Sequence, residues 1–187
     1  SCMALPAALP AAGKAMQWLA QEMDRRLTAA ERKDVVVVGA GFSGMYQLYK
    51  LREQGLDVQV FEAGSDVGGT WYWNRYPGAR VDIESMAYSF SFSEELQQEW
   101  EWSEKYSPQP ELLKYAQHIA DRFDLKNHIA FNTRVASAHF DDDADEWLVT
   151  TECGRRIRAQ HLVMATGVLS ASKEPDIIGR EYYQGDT

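Results

Sequence analysis

Four consecutive β-branched residues, Val35 to Val38, run straight into Gly39-Ala40-Gly41-Phe42-Ser43-Gly44, and this junction constrains the fold more than any other stretch. A continuous valine run reads as a central parallel strand covered on both faces. The adjoining Gly-x-Gly-x-x-Gly predicts a tight turn at Gly39, close approach of a pyrophosphate at Gly41, and helix-on-strand packing at Gly44. A helix opening there directs unpaired N–H groups and a partial positive charge at phosphate. A second strand is expected from Asp57 to Phe61. Glu62 comes directly after it, 23 positions beyond Gly39, near the distance (about 20 residues) at which an acid meets a nucleotide ribose. A lone glycine pattern is weak. Strand, glycines, helix and acid together predict a dinucleotide-binding βαβ unit.

The chain has 187 residues, 45% of them hydrophobic, enough for one domain with its own core. Its net charge is −9 with the basic residues scattered, which argues against a nucleic-acid or anionic-membrane surface. Nothing in it reads as a membrane span or a signal peptide. The two cysteines, Cys2 and Cys153, lack metal or redox spacing and predict reduced thiols in the cytoplasm.

Residues 1–13 are rich in Ala and Pro and read as a loose arm. Met16, Leu19, Met23, Leu27 and Ala30 then recur at helical spacing, predicting an N-terminal helix that packs on the domain or on a partner. After Val38 a helix is expected from about Gly44 to Gln54, with Met45, Leu48 and Leu51 inward and an end before Gly55. Tyr88 to Phe92 alternates with period two and suggests a short extended stretch. Ser107-Pro108 opens a further helix whose apolar face is Leu112, Ala116, Ile119 and Phe123. His118 and His128 lack ligand-spaced partners and read as surface residues. A β-meander comes next: Arg134 to Phe140, an acidic turn from Asp141 to Asp145, then Glu146 to Glu152. That turn lacks the glycine and distant Glu of a calcium loop. His161 to Ala165 is a final buried strand returning to the parallel sheet. The fold class expected is therefore α/β, a Rossmann-like parallel sheet with helices plus a β-meander, preceded by an N-terminal helical arm.

Which dinucleotide the unit takes depends on the residues after Glu62. Ala63, Gly64 and Ser65 offer no Arg or Lys to a 2′-phosphate, which argues against NADP at this site and leaves FAD or NAD. The next run, Gly68-Gly69-Thr70-Trp71-Tyr72-Trp73-Asn74-Arg75-Tyr76-Pro77-Gly78-Ala79-Arg80-Val81-Asp82-Ile83-Glu84-Ser85, interleaves rings with charges that would be costly to bury without a partner. Trp73 and Tyr76 could instead fill core. A flavin would supply a flat apolar face to stack on and polar edges to bond. Together with the first glycine motif and Ala165-Thr166-Gly167, this run resembles the flavin domain of Baeyer–Villiger monooxygenases (type I, class B flavoprotein monooxygenases). The similarity extends from about Asp34 to the C-terminus.

The resemblance implies FAD as the bound cofactor and NADPH as reductant. It places Gly39, Gly41, Ser43 and Gly44 along the pyrophosphate, Glu62 on the adenosine ribose, and Gly69, Thr70, Trp71 and Tyr88 against the flavin. Val135 opens the segment similar to the family's adenine contact. Arg80, Val81 and Asp82 resemble the segment that also touches the nicotinamide, and Asp82 is the catalytic candidate, beside an arginine from a later region. The implied reaction adds dioxygen to reduced flavin and attacks a ketone with the resulting C4a-peroxyflavin, giving an ester or lactone. Such a site excludes water and needs fixed positive charge; Arg75 and Arg80 carry charge in this run, and neither is identified with the family's arginine.

The expected organisation is an arm and helix over 1–33, the first segment of an FAD-binding domain over 34–170, and a linker over 171–187 toward an NADPH domain absent from the sequence. Ile177-Ile178-Gly179 departs from a usual Pro-Gly. Tyr183-Gln184-Gly185 resembles the opening of a family fingerprint whose His lies beyond Thr187. The 187 residues are thus expected to be an N-terminal portion that lacks turnover by itself, with association possible through exposed apolar surface. Two alternatives stand beside this reading: a class B enzyme oxygenating nitrogen or sulfur, and an FAD-binding module inactive on its own.

Overall fold

The computed structural model describes residues 13, 16–19, 30–171 and 173–185. Residues 16–19 are helical, with Met16 and Leu19 exposed; Met23, Leu27 and most of the Ala/Pro-rich arm lie outside the described residues. Strand β1 spans Glu31–Val38, α1 Phe42–Glu53 and β2 Val58–Phe61. The one-turn helix α2 covers Thr70–Trp73, α3 covers Glu94–Glu99, and α4 covers Gln109–Arg122. Strands β3 (Ile129–Ala130), β4 (Val135–Asp141), β5 (Glu146–Thr151) and β6 (Arg156–Met164) complete one six-stranded sheet in the order β3-β2-β1-β6-β5-β4.

Sheet and sequence agree at the centre. β1 is parallel to β2, with Val37 opposite Val60, and parallel to β6, with Val37 opposite Val163. Successive valines of β1 alternate between faces, so both faces must be covered. Val35 and Val37 pack with Met45 and Leu48 of α1 and with Tyr115, Ala116 and Ile119 of α4. Val36 turns the other way and packs with Phe61, Val149, Ile157 and Ala159. The meander is antiparallel: β4 pairs β5 from Asp141↔Glu146 to Val135↔Thr151, and β5 pairs the first half of β6. β6 is therefore longer than the stretch His161–Ala165 suggests. Its end is only partly buried, with Met164 exposed.

Local chemistry sets the element ends. Helix α1 stops in a Schellman arrangement: Leu56 N–H donates to Leu51 O (3.2 Å) and Gly55 N–H to Arg52 O (2.9 Å), with Gly55 left-handed at φ 79°. Lys50 and Arg52 in its last turn suit the negative end of the helix dipole. Pro108 precedes the first turn of α4, which buries Leu112, Tyr115, Ala116 and Ile119 on one stripe. The Asp141–Asp145 run is the β4–β5 hairpin turn, closed by Ala144 N–H on Asp141 Oδ1 at 3.2 Å. Arg158 anchors that hairpin by pairing Asp141 (3.2 Å) and Glu146 (3.5 Å).

Three expectations change. Tyr88 to Phe92 is not a strand: after a 3₁₀ turn over Ser85–Tyr88 the chain is irregular. Its alternation comes from Phe90 and Phe92 both facing an aromatic cluster, with Phe92 stacked on Tyr49 at 4.2 Å, while Tyr115 Oη accepts the Phe90 N–H at 2.8 Å. A side chain replaces the missing strand partner. Trp73 and Tyr76 are 55% and 64% exposed, so neither fills core. His118 is only partly exposed and lies against the Trp100 ring at 5.4 Å.

The central layer sets a direct expectation. Leu48 is fully buried between sheet and α4. Leu48→Ala should lower unfolding free energy by about 2–5 kcal/mol, read as a shifted urea midpoint with an unchanged m-value.

Candidate cofactor-binding site

The parallel strands β1, β2, β3 and β6 all end on the same edge, and the order of connections reverses beside β1. In open α/β sheets this is where ligands bind. Gly39 comes directly after β1 with φ 103°, and an added Cβ would sit 2.5 Å from Ala165 O at the end of β6. A Cβ on Gly44 would collide with the Gly39 carbonyl oxygen. Backbone thus packs on backbone where α1 leaves the sheet. The N-terminus of α1, capped by Gly41, receives no side-chain bond and has no acidic residue in its first turn. Its first N–H groups have no intrahelical acceptors.

Gly41 packs against Gly69 beside this turn. A Cβ on Gly41 would come 3.3 Å from Gly69 Cα, and one on Gly69 would come 2.9 Å from Gly41 Cα. The two glycine motifs, 28 positions apart in sequence, pack backbone on backbone and form the side-chain-free floor of the slot at this sheet edge. Gly68 N–H donates to Ala40 O at 3.1 Å and holds the second motif against the first.

Glu62 is buried at 5% exposure and bridges two turns. Its Oε2 accepts the Ala40 N–H and its Oε1 accepts the Gly64 N–H, each at 2.7 Å. Two bonds leave further lone pairs on a carboxylate. Thr133 N–H donates to Glu62 O (2.8 Å) and Asn132 N–H to Gly64 O (2.9 Å), so the segment opening β4 at Val135 runs beside the acid. Tyr72 closes the same turn: its Oη accepts the Ser65 N–H at 3.0 Å and meets Ser65 Oγ at 2.8 Å. The Ser65 bonds hold the Tyr72 phenol below its ordinary pKa.

Helix α2 sets Thr70 exposed and Trp71 buried. Trp71 packs with Val81 and Leu112, and its ring meets Tyr88 edge-on at 5.7 Å. Tyr88 in turn meets Phe42 at 5.6 Å, at the first residue of α1. Burial raises the Tyr88 pKa, and the Asp82 carboxylate adds to that rise. Asp82 is exposed between buried Val81 and buried Ser85 on a tightly laced segment. Val81 N–H donates to Ser107 O (3.2 Å) and Ser85 N–H to Lys105 O (2.8 Å). The Ser85 hydroxyl lies at hydrogen-bond distance from Glu104 O and from Ser107 Oγ, each at 2.8 Å. Arg80 is drawn away from Asp82, with Nη1 on Tyr106 O (3.0 Å) and Glu104 (3.1 Å). Arg75 stacks on Tyr72 at 4.8 Å.

The sequence-predicted residues thus gather at one edge: Gly39, Gly41, Ser43 and Gly44 on the first turn, Glu62 beneath it, Gly69, Thr70 and Trp71 opposite, and Tyr88 bridging Trp71 to Phe42. Ser85, Ser107 and Gln109, all buried polar residues supporting the aromatic loop, are not apparent from sequence. Their partners lie some 20 to 40 positions away, and no local pattern marks them. A separate open cleft carries the carboxylates of Glu84, Glu101 and Glu104, which suit a pyrophosphate poorly. Among the described residues no group of His, Cys, Asp or Glu is arranged to hold a metal, and no helix is long and apolar enough to cross a membrane.

Fold and slot together define a Rossmann-type dinucleotide-binding unit, and residues 37–101 match the NAD(P)-binding Rossmann-like domain family. A phenazine N-monooxygenase of Lysobacter antibioticus is 48% identical over 153 residues, covering 81% of this chain and 28% of that protein. A Baeyer–Villiger monooxygenase of Pseudooceanicola batsensis is 45% identical over 153 residues, with the same coverage of 81% and 28%. The structure of a steroid monooxygenase bound to NADP superposes with a TM-score of 0.76 at 55% identity, over 83% of this chain and 30% of that one. Over most of its length the chain is thus similar to one part of Baeyer–Villiger and related monooxygenases. It spans under a third of the length of these relatives.

Two alanine substitutions separate folding from the slot. Gly44→Ala forces backbone apart and should cost about 4 kcal/mol or more. Gly41→Ala needs only a few tenths of an ångström of give. It should unfold within a few degrees of wild type while losing dinucleotide affinity, measured by thermal melts beside ligand titration.

Proposed function

We propose that this chain is the flavin-binding portion of an NADPH- and O2-dependent Baeyer–Villiger monooxygenase that converts ketones to esters or lactones. The carrying observation is the side-chain-free surface where Gly41 packs on Gly69, set at a helix N-terminus that no side chain caps. It fits a pyrophosphate, which needs close backbone approach and N–H donors. FAD, when bound, supplies the redox chemistry that takes hydride from NADPH and activates dioxygen. The chain's own residues bind and orient it. Ser43 and the first-turn N–H groups of α1 hold the diphosphate, and the free lone pairs of Glu62 take the ribose hydroxyls. Thr70 and Trp71 border the ring system, and Tyr88 braces Trp71.

The Arg80-Val81-Asp82 segment has a second task in this reading. Val81 anchors it in the core, so Asp82 presents a carboxylate from a fixed backbone. In the full-length enzyme that carboxylate orients a cation contributed from outside these residues, beside the nicotinamide. The buried Trp71 ring and the half-buried Tyr88 ring keep water from that side of the site. Residues 34–170 form the first segment of the flavin domain, and 171–187 lead toward the nicotinamide domain. In this reading the protein works in the cytoplasm, which its two cysteines without metal or redox spacing support.

The test is the visible absorption spectrum of the chain after incubation with excess FAD and removal of free cofactor. A retained flavin band with resolved shoulders is expected, and its loss in Glu62→Ala. Retention of NAD or NADP in place of FAD, or of no nucleotide, would contradict the proposal.

A further inference from the structure

A four-residue helix does not sustain itself, because so short a segment does not repay nucleation. Its terminal carbonyls must also find donors outside the helix. In α2 three side chains provide them. Asn74 Nδ2 donates to Thr70 O at 2.9 Å, Arg75 Nε donates to Tyr72 O at 2.7 Å, and Gln109 Nε2 donates to Trp71 O. The first two belong to the same loop and move with it. Gln109 comes from elsewhere: it is the first residue of α4 and is only 7% exposed.

Gln109 has a second hold. Its backbone N–H donates to Ala79 O at 2.8 Å. One buried residue on a long helix therefore fixes both ends of the Trp71–Ala79 segment. Trp71 lies at one end, and Arg80-Val81-Asp82 begins at the other. The glycine turn and Glu62 are held by different bonds, to Ala40, Gly64 and Thr133.

We propose that Gln109 is a positioning residue for the flavin end of the cofactor site, setting the Trp71 seat while leaving the pyrophosphate–ribose end unaffected. This rests on the flavin reading of the site. Gln109→Met keeps side-chain length and removes the donor, leaving a buried carbonyl unpaired. In the 187-residue chain, FAD and ADP are titrated separately by calorimetry. ADP probes the pyrophosphate–ribose end alone. Gln109→Met should raise the FAD Kd about tenfold, the loss of one buried hydrogen bond, and leave the ADP Kd within about twofold. Amide exchange at Trp73 and Asn74 should quicken by a similar factor, with Val36 and Val37 unchanged.

Unchanged FAD affinity, or equal losses for FAD and ADP, would overturn the inference. Should the wild type bind ADP and not FAD, the flavin reading falls. The exchange rates then decide the role of Gln109 in holding α2, and unchanged protection at Trp73 and Asn74 overturns it. Gln109→Glu, equal in length and acceptor-only when ionised, replaces Gln109→Met if that variant does not fold, with the same outcomes.

Discussion

Backbone meets backbone at the carboxyl edge of the sheet, and the rest of the site depends on that contact. Gly39 lies under Ala165 O, Gly44 under Gly39 O, and Gly41 opposite Gly69. No side chain larger than hydrogen fits at these positions without displacing main chain. The consequence is a slot floored by side-chain-free backbone at a helix N-terminus, with Glu62 locked beneath by two backbone donors. In the proposed reading this surface takes the pyrophosphate and Glu62 the adjoining sugar.

Around this rigid slot the aromatic loop is held by a different kind of bond. Few of its contacts are repetitive ladder bonds. Buried hydroxyls and one amide, from Ser85, Ser107 and Gln109, tie it to the start of α4. Buried polar groups of this sort are costly unless fully paired, and that cost makes them specify one conformation. The loop can therefore expose Trp73, Tyr76 and Asp82 while its backbone stays defined. Exposed rings and a carboxylate thus stand on a fixed frame.

Much of the fold and of the slot is legible in the residues. The valine run, the glycine spacing, Glu62 and the acidic hairpin turn each carry a local rule, and each occupies the expected place in the sheet. The meander and the helix after Pro108 arise from period and capping in the same way. The features that sequence does not reveal depend on distant partners. Phe90 and Phe92 imitate strand alternation because Phe90 packs on Tyr115 and Phe92 on Tyr49 and Phe123, in one aromatic cluster. β1 begins at Glu31, ahead of the valines, because its early residues pair with β6. Gln109 shows nothing locally beyond its place after a proline. Only the fold brings its amide to Trp71.

The central claim is that the two glycine motifs form one dinucleotide slot. Its most direct test is an NMR titration of the isotope-labelled chain with FAD, monitoring backbone amide shifts. The account predicts large shifts at Gly39 to Gly44, Gly64, and Gly68 to Trp71, saturating together with a single Kd. Shifts confined to the Trp100–Lys105 cleft, or to only one of the two glycine motifs, would contradict it.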